Sequence, residues 1–306
     1  MSSQPIVLEH DTPSQPQSPS SSSSDYATND SSTPSLSPPE GYTFPTHKLK
    51  PYLEDSTKEP LVLVACGSFS PITFLHLRMF EIARDFVRLN ANYEIIGGYL
   101  SPVSDAYKKS SLVGAHHRIK MCEAAVSSAS DAIMTDSWEA SQKEYQPTAQ
   151  VLDHFDHEIN EVRGGIETYC GERRHVRIAL LAGADLMQTM STPGVWSDKD
   201  LDHILGKYGL FIVERAGTDT DEALASLRQW EDNIYVMPQL VHNDISSTKI
   251  RLFLKREMSV RYLIPSEVID YIEAHGLYQD DGTGSVHEGK GKEEVQTSSG
   301  SHSSEV

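Results

Sequence analysis

The chain has 306 residues, and its 44 acidic and 26 basic side chains give a formal net charge of −18. An acidic chain lacks the general basic surface that binds phosphate backbones, so the composition disfavours nucleic-acid binding. No apolar run reaches the roughly 20 residues that span a bilayer, and the first residues lack the basic start and apolar centre of a secretory signal. The three cysteines are unclustered, which fits a reducing compartment and excludes a CxxC zinc site.

Two terminal segments differ in composition from the rest of the chain. Eleven of the 24 residues from Ser14 to Ser37 are serine, and residues 280–306 contain little that could be buried. Such segments cannot offset the entropy that ordering costs, so we predict disorder for 1–45 and for the acidic tail 280–306. Together they carry 11 acids and two bases, which is half of the net charge. Residues 46–279 are left for one folded domain.

The domain segment alternates between two kinds of pattern. Short apolar runs predict buried strands, while apolar residues at helical spacing predict helices between them. The predicted strands are Leu61–Ala65, Tyr93–Tyr99, Ala132–Thr135, Arg177–Ala182 and Leu210–Glu214. The helical stripes are Leu75, Met79, Ile82, Ala83 and Phe86; Ile119, Cys122, Ala125 and Val126; Leu201, Ile204 and Leu205; and Val268, Ile269 and Ile272. This alternation predicts an α/β fold, a single Rossmann-like, doubly wound parallel sheet with helices on both faces, whose ligands bind beyond the carboxyl ends of the strands.

The turn after the first predicted strand has a pattern typical of phosphate binding. Gly67 allows a close backbone approach, and Ser68 and Phe69 can present N–H groups to an anion. Thr73 is the predicted N-cap of a helix, which places His76 in the first turn, where the helix dipole favours phosphate. A histidine there can donate a hydrogen bond as charge develops on a phosphoryl group. A lone glycine turn would be structural, but strand, GSFSP, TxxH and helix in sequence favour function.

Two motifs together resemble the nucleotidylyltransferase superfamily. The first is GSFSP at 67–71 followed by TxxH at 73–76, and the second is ISSTKIR at 245–251. Ser246 or Ser247 would cap a helix whose N-terminus, with the arginine that ends the motif, faces a polyphosphate. Class I aminoacyl-tRNA synthetases use a similar pair of signatures, but they need an RNA-binding domain and a basic face, and neither is visible in this sequence.

Further segments resemble the eukaryotic nicotinamide mononucleotide adenylyltransferases. They are SPVSDAYKK at 101–109, Trp138-Glu139, GADL at 183–186, Trp196, YGL at 208–210 and Asn243-Asp244. The resemblance runs from about Leu61 to Tyr278, and the stretch Asp153–Gly165 and the serine-rich leader resemble the fungal branch. This family joins nicotinamide mononucleotide (NMN), or its nicotinic acid form (NaMN), to the AMP part of ATP and releases pyrophosphate. The resemblance therefore implies an enzyme of NAD biosynthesis, with Mg²⁺ carried on ATP.

The resemblance also implies which residues hold each substrate. The implied catalytic residues are His76, Lys109 and Arg251. Those implied for ATP are Gly67, Ser68, Phe69, His76, Thr248, Lys249, Ile250 and Arg251. Those implied for the mononucleotide are Gly67, Ser68, Tyr107, Lys109, Tyr145, Thr148, Gly183, Asp185, Val195, Trp196, Gln239 and Asn243. Trp196 and Tyr145 would stack on the pyridine ring, although the latter position is commonly Trp in animal relatives, and Gln239 is Glu in some relatives.

Other conspicuous residues have structural explanations. We expect Trp138 in the core and Lys108 in solvent. Arg215, after a strand, could equally be ion-paired or contact phosphate. Four residues have a spacing that could suit a metal; they are Asp153, His154, Asp156 and His157. A polar run of this kind is usually a solvated helix face, so we assign the protein no metal site of its own.

Two other functions stay open at the level of sequence. An adenylyl- or cytidylyltransferase acting on another phosphorylated acceptor would not need aromatic residues for a pyridine ring. A nucleotide-binding or chaperone-like protein without turnover would not need His76, Lys109 and Arg251 together. Because relatives form homo-oligomers and are often nuclear, the resemblance implies a homo-oligomer in the nucleus or cytoplasm. Its expected partners are small nucleotides, with neither nucleic acid nor a membrane.

Overall fold

Strands and helices alternate along the chain in a computed structural model, which describes residues 41–109, 111–215 and 220–279. The strands are β1 (Tyr52–Leu53), β2 (Glu59–Gly67), β3 (Tyr93–Pro102), β4 (Ile133–Thr135), β5 (Ile166–Thr168), β6 (Arg173–Arg174), β7 (Arg177–Gly183), β8 (Leu210–Val213) and β9 (Ile234–Met237). The α-helices are α1 (Phe74–Asn90), α2 (Ala115–Ala129), α3 (Thr148–Asp156), α4 (Ala184–Ser191), α5 (Asp198–Leu201), α6 (Thr220–Ser226), α7 (Ser247–Lys255) and α8 (Ser266–Ala274). Helices α3 and α5 continue as π-helical turns to Val162 and Tyr208, and 3₁₀ turns cover Glu139–Ser141 and Arg228–Asn233.

Six strands form one parallel sheet in the order β4-β3-β2-β7-β8-β9. Counted along the chain, this is the 3-2-1-4-5-6 order of a doubly wound, Rossmann-like sheet. The chain runs outward from β2 through β3 to β4, and then returns to β7 on the other side of β2. The crevice beyond the carboxyl ends of β2 and β7 is where such a sheet binds its ligand. The predicted fold class is confirmed.

The central strand shows why the core has two layers. Leu61, Leu63 and Ala65 belong to one buried cluster, and Val62 and Val64 belong to the other. Alternate side chains of a strand enter opposite faces of a sheet, so a continuous apolar run fits a sheet that is covered on both sides. Helices α1, α2 and α8 contribute to the first cluster, and α3 and α4 contribute to the second. The sheet is thereby fixed between two helical layers.

The folded domain includes residues 41–45, which the composition places in the leader. Tyr42 Oη donates a hydrogen bond to Asp136 Oδ1 at 2.8 Å, and the Phe44 and Tyr99 rings pack with their centroids 5.1 Å apart. Two aromatic side chains therefore anchor this short segment on the domain. The remaining parts of the predicted terminal segments, 1–40 and 280–306, lie outside the described residues.

The five predicted strands correspond to β2, β3, β4, β7 and β8, but the sheet has a sixth strand that the sequence patterns do not predict. Strand β9 has four residues, two of them half-buried, and lies at the edge of the sheet, so its apolar run is too short to stand out. A small second sheet pairs β1, β5 and β6. Among the described residues, no helix is long and apolar enough to cross a membrane.

Candidate active site

The implied substrate residues gather at the carboxyl edge of the large sheet. Gly67 ends β2, the loop with Tyr107 and Lys109 follows β3, and Gly183 ends β7. This arrangement arises because parallel strands all present their carboxyl ends at the same edge of the sheet. An ideal Cβ built on Gly183 would have no atom within 4 Å, so this end of β7 borders open space. The residues therefore surround the crevice that the topology designates as a ligand site.

The loop after β2 is organised around the Phe69 ring. An ideal Cβ on Gly67 would lie 3.1 Å from Phe69 Cζ, so the close packing of ring on backbone favours glycine there. Phe69 has a φ of 45°, in the left-handed region, and its ring is buried. The ring packs edge-on against His76, with centroids 5.2 Å apart. The Phe69 side chain thus supports His76.

His76 is fixed in one protonation state at the start of α1. Thr73 is the N-cap, as predicted, and its backbone N–H donates to His76 Nδ1 at 2.9 Å. Because Nδ1 accepts this hydrogen bond, the proton of the neutral ring must be on Nε2. Burial lowers the pKa of His76 to about 4. At neutral pH the residue is therefore an uncharged imidazole that offers an Nε2–H donor.

The second motif is held directly against the first. Ser246 caps α7, where its side chain accepts a hydrogen bond from Lys249 N. Ser247 Oγ donates to Pro71 O at 2.8 Å, and Arg251 Nη1 donates to Ser70 O at 2.8 Å. These bonds join residues that lie 176 and 181 positions apart in the chain. The N-termini of α1 and α7, both suited to phosphate, therefore belong to one site.

A cavity of about 190 Å³ opens beside the first loop. Its lining residues are Cys66, Gly67, Ser68, Val103, Tyr107, Lys109, Glu139, Tyr145, Gln146, Thr148, Leu186, Thr189 and Trp196. The Tyr107 and Tyr145 rings stack with centroids 5.9 Å apart, and Trp196 Nε1 donates to Thr189 Oγ1 at 3.2 Å. The hydrogen bond fixes the indole, so the cavity presents aromatic surfaces of defined orientation. Such walls suit a flat ring.

Lys109 lines this cavity and also an adjoining one of about 400 Å³, which Asp105 and Tyr107 border as well. A lysine in this position is a compact positive charge that a phosphate group can approach. The neighbouring Lys108 is exposed, as predicted, and does not line the inner cavity. Lys109 therefore lines the inner cavity, whereas Lys108 lies in solvent.

Two cationic groups of the crevice are paired with carboxylates. Arg215 Nη1 lies 2.9 Å from Asp185 Oδ2, and Arg215 also donates to Asp244 O. Lys249 Nζ lies 2.5 Å from Asp244 Oδ2, and this ion pair lowers the pKa of Asp244. Both carboxylates are at least half exposed, so these pairs contribute little to stability and can exchange with another anion. Arg215 is thus ion-paired at the end of β8.

Some implied residues do not reach the cavity. The Ile250 side chain is fully buried in the core, and its N–H donates to Ser246 O within the helix. Gln239 borders a groove against α1 and donates to Asn243 O, and Asn243 Oδ1 accepts from Ile245 N. Gln239 and Asn243 therefore organise the loop that leads to α7.

Two more implied residues also lie outside the cavity lining. Val195 precedes Trp196 in a turn and is not among the residues that line the cavity. Thr248 is near Arg251, to which its hydroxyl is hydrogen-bonded at 3.1 Å.

The sequence patterns did not reveal a buried arginine that connects the loop after β2 to the loop after β3. Arg118 is completely buried in α2, donates to Ser68 O at 3.2 Å and to Val113 O at 2.9 Å, and pairs with Asp105 at 3.1 Å. It therefore ties the loop after β2 to the segment that carries Tyr107 and Lys109. The available signal was its position, because Arg118 lies on the same helical face as the predicted apolar stripe at Cys122 and Ala125.

Sequence reasoning also missed a carboxyl group in the cavity wall. Glu139 is 3 % exposed and lies in the 3₁₀ turn beyond β4, and Ser101 Oγ donates to its Oε2 at 2.5 Å. Burial raises its pKa to about 8, and the charge of Asp136 acts in the same direction. Trp138, the residue before Glu139, is buried as predicted, and its ring stacks on His154 with centroids 4.2 Å apart. The pair Trp138-Glu139 was visible in the sequence, but the burial of Glu139 was not.

The four residues with metal-like spacing are all engaged by other side chains, and Asp153 and Asp156 share Lys207 as a partner. His154 is buried against Trp138, so the expectation of a solvated face is wrong for this residue. Asp153 pairs with His203 and Lys207, while His157 pairs with Glu161. Among the described residues, no group of three or more histidine, cysteine or acidic side chains is placed to hold a metal ion.

Comparisons with known proteins agree with these features. A model of the cytidylyltransferase-like family matches residues 64–253. The chain is 55 % identical over 242 residues to the nicotinamide/nicotinic acid mononucleotide adenylyltransferase of Schizosaccharomyces pombe. This alignment covers 78 % of this chain and 66 % of that protein. It is 54 % identical over 244 residues to enzyme 1 of that name from Saccharomyces cerevisiae, covering 79 % of this chain and 61 % of the relative. The alignment thus spans slightly less than two thirds of the length of these fungal relatives.

A mammalian relative is covered almost completely. The chain is 37 % identical over 260 residues to the nicotinamide/nicotinic acid mononucleotide adenylyltransferase 1 of Bos taurus, with 75 % of this chain and 92 % of the relative in the alignment. Both motifs of the candidate site fall within the span that the family model matches.

Proposed function

The chain belongs to the nicotinamide/nicotinic acid mononucleotide adenylyltransferases, within the cytidylyltransferase-like family, and we propose that it performs their reaction. In this reaction NMN or NaMN takes the adenylyl group of ATP, which yields NAD or its deamidated form and pyrophosphate. The single observation that carries the proposal is that an aromatic cavity and two helix N-termini suited to phosphate border the same loop after β2. The cavity suits the pyridine ring, and the helix starts suit the triphosphate.

The chemistry requires no nucleophile from the protein. A phosphate oxygen of the mononucleotide attacks the α-phosphorus of ATP in line, and a P–O bond forms while the bond to the β-phosphate oxygen breaks. Pyrophosphate leaves with that electron pair. The protein contributes positioning and stabilisation of charge. His76 donates its Nε2–H to a phosphoryl oxygen, and Lys109 holds the phosphate of the mononucleotide.

Ion pairs around the crevice support an exchange of anions when ATP binds. Lys249 and Arg215 are occupied by exposed carboxylates in the free protein. A triphosphate carries more charge than one carboxylate and can accept several charge-assisted hydrogen bonds, so it competes well for these cations. Arg251 is more fixed, because its guanidinium is already hydrogen-bonded to Ser70 O and to Ser111 Oγ. We propose that it orients the first loop as well as the phosphates.

We propose that Mg²⁺ enters with ATP. The acidic residues at the mouth of the crevice, Asp185 and Asp244, are paired with Arg215 and Lys249. A metal that arrives on the triphosphate needs few protein ligands, because phosphate oxygens and water supply most of its coordination. When bound, Mg²⁺ offsets negative charge on the phosphates as pyrophosphate leaves.

The alternative functions predict different features of the cavity. A transferase for another phosphorylated acceptor has no use for the aromatic walls of Tyr145 and Trp196, which are fixed by stacking and by a hydrogen bond. A binding protein without turnover has no use for a histidine held in its neutral donor form. Both observations favour catalysis on a pyridine nucleotide.

A coupled assay tests the proposal. The purified chain is incubated with NMN, ATP and Mg²⁺, and NAD is followed by an NAD-dependent dehydrogenase. We expect NAD to form in proportion to the protein added, and pyrophosphate to appear in equal amount. A preparation of His76→Ala, purified identically, controls for a contaminating activity. Formation of NAD no faster than in a blank without protein would refute the proposal.

We propose further that the protein acts in the nucleus or cytoplasm as a homo-oligomer. The free thiols Cys66, Cys122 and Cys170 fit a reducing compartment and so support the location, while the oligomeric state rests on the resemblance to the family alone. Imaging of a tagged chain tests the location, and light scattering during gel filtration tests the oligomeric state.

A further inference from the structure

The wall of the aromatic cavity contains one carboxyl group that faces the place proposed for the pyridine ring. Glu139 lines the cavity together with Tyr145, Thr148 and Trp196, and it is only 3 % exposed. Few buried carboxyl groups lack a cation partner, so the burial of Glu139 without one needs an explanation.

The immediate partners of Glu139 leave one of its oxygens free. Oε2 accepts the hydrogen bond from Ser101 Oγ, whereas Oε1 receives no hydrogen bond from the residues that the structure describes. The buried cation Arg118 makes its own bonds to Asp105, Val113 O and Ser68 O. Glu139 therefore has one oxygen available for a molecule in the cavity.

The charged and titratable groups around Glu139 are few. Those that interact with it electrostatically are Cys66 of β2, Arg118 of α2, Asp136 just after β4 and Tyr145 of the cavity wall. Burial raises the pKa of the Cys66 thiol well above its usual range and raises the pKa of Tyr145 to about 12, so neither group ionises between pH 7 and 9. Glu139, with a pKa of about 8, is the group that changes charge in this interval.

The two candidate acceptors differ in a way that such a group can distinguish. NMN carries a neutral carboxamide with both a donor and acceptor, so it can hydrogen-bond to either form of a carboxyl group. NaMN carries a carboxylate, which can accept a hydrogen bond from a carboxylic acid but is repelled by a second carboxylate in the same dry cavity.

We propose that Glu139 is a specificity-determining residue that reads the substituent of the pyridine ring, accepting the amide in both of its protonation states and the acid only when it is itself protonated. The inference rests on the proposed function and assigns one more residue to the same site. It makes the preference between NMN and NaMN depend on pH through this one side chain.

The ratio of kcat/KM for NMN to kcat/KM for NaMN isolates the effect. ATP, Mg²⁺, His76 and the phosphate of each acceptor contribute equally to both values and cancel. Since the protonated fraction of a group with a pKa of about 8 falls roughly tenfold between pH 7 and 9, the ratio should rise about tenfold over this interval. Glu139→Gln, which is neutral at every pH, should give a flat ratio. A Glu139→Gln enzyme whose ratio rises as steeply as that of the wild type would overturn the inference.

Proton uptake gives a readout that does not depend on turnover. We expect NaMN binding above pH 8 to take up close to one proton, measured by titration calorimetry in two buffers with different ionisation enthalpies, and NMN binding to take up none. The uptake should vanish in Glu139→Gln. Equal uptake with both ligands, or uptake that persists in the variant, would contradict the assignment.

A second variant covers the case in which Glu139→Gln does not fold. Ser101 donates to the ionised carboxylate and so lowers its pKa, which means that Ser101→Ala should move the midpoint of the ratio to higher pH. An unchanged midpoint would count against the inference. Failure of the proposed function is distinguishable, because in that case neither acceptor would be converted at any pH.

Discussion

At the scale of single residues, the site depends on how neighbours fix a side chain that is otherwise versatile. His76 could be a cation, a base or either neutral tautomer, but the Thr73 N–H at Nδ1 and the edge-on Phe69 ring leave one form. The result is a preorganised donor that costs no rearrangement during phosphoryl transfer. The glycine at position 67 matters for the same reason, since it lets the Phe69 ring pack close enough to support the histidine.

Removal of this donor should slow the chemical step. His76→Ala is expected to lower kcat by roughly 10²–10³-fold, as is typical for the loss of one preorganised hydrogen-bond donor, while the KM values change less. Steady-state assays with saturating ATP measure the effect. The matched control is His47→Ala, at an exposed position remote from the crevice, which should leave kcat unchanged. A His76→Ala enzyme as fast as the wild type would remove His76 from the mechanism.

The same residue should make stability depend on pH. The pKa of His76 is about 4 in the folded protein and near its usual 6.5 when unfolded, so the unfolded chain binds more protons between these values. Its contribution to the free energy of unfolding is therefore complete above pH 6.5 and is lost as the pH falls towards 4. Urea denaturation at pH 7 and pH 5 should show a smaller loss of stability in His76→Asn than in the wild type. Equal losses would contradict the assigned neutral form.

At the scale of elements, the site is built by contacts between segments that are distant in sequence. Helix α7 is bonded to the loop after β2 through Ser247 and Arg251, and helix α2 is bonded to the same loop through Arg118. The loop therefore has supports on two sides. A displacement of either helix would move the backbone that we propose as the ATP site.

Loss of the arginine support should affect both stability and substrate binding. Arg118→Met keeps most of the packing but leaves the carbonyls of Ser68 and Val113 without this donor, which should lower the free energy of unfolding by about 1–3 kcal/mol. The KM for the mononucleotide should rise, because the segment with Tyr107 and Lys109 loses its anchor.

Urea denaturation and steady-state kinetics measure these two effects. Arg84→Met is the matched control, since Arg84 is half exposed on α1 and its ion pair with Glu81 contributes little. If Arg118→Met were as stable as Arg84→Met, the proposed support would not exist.

The element scale also shows what the sequence can and cannot predict. Strands β2, β3 and β7 and the helix starts at both motifs were predictable, because they depend on patterns within about ten residues. Local rules also identified Thr73 as a cap and narrowed the second cap to Ser246 or Ser247, of which the structure has Ser246. The partners of Arg118 and the burial of Glu139 were not predictable, because they depend on contacts between segments that are distant in sequence. The edge strand β9 was missed because four residues give too short a pattern.

At the scale of the whole molecule, the net charge of −18 is distributed unevenly. Half of it belongs to residues 1–45 and 280–306, and the rest to the domain that would bind ATP and a mononucleotide, both of which are anions. Attraction must therefore come from local groups, which are Lys109, Lys249, Arg251, Arg215 and the N-termini of α1 and α7. Composition excluded a protein that coats polyanions, and it left room for a pocket that is positive only locally.

All of the proposed site residues lie between Gly67 and Arg251, so we expect the terminal segments to be dispensable for turnover. A chain of residues 41–279 should keep kcat and both KM values within about twofold of the full chain. A chain that begins at residue 46 should be less stable by about 1.5–3 kcal/mol, since it lacks the packing of Phe44 and the hydrogen bond of Tyr42. Kinetics and urea denaturation of the two truncated chains check these expectations, and a large loss of activity in 41–279 would assign the termini a catalytic role.

The central claim is that the site transfers an adenylyl group to a pyridine mononucleotide, and the fate of the α-phosphorus tests it most directly. ATP labelled at that position is offered to the full chain with Mg²⁺ and one acceptor at a time: NMN, NaMN, phosphopantetheine or choline phosphate. We expect the label to enter a dinucleotide with NMN and NaMN and to stay in ATP with the other two acceptors. Transfer of the label to a non-pyridine acceptor at a comparable rate, or retention in ATP with all four, would contradict the central claim.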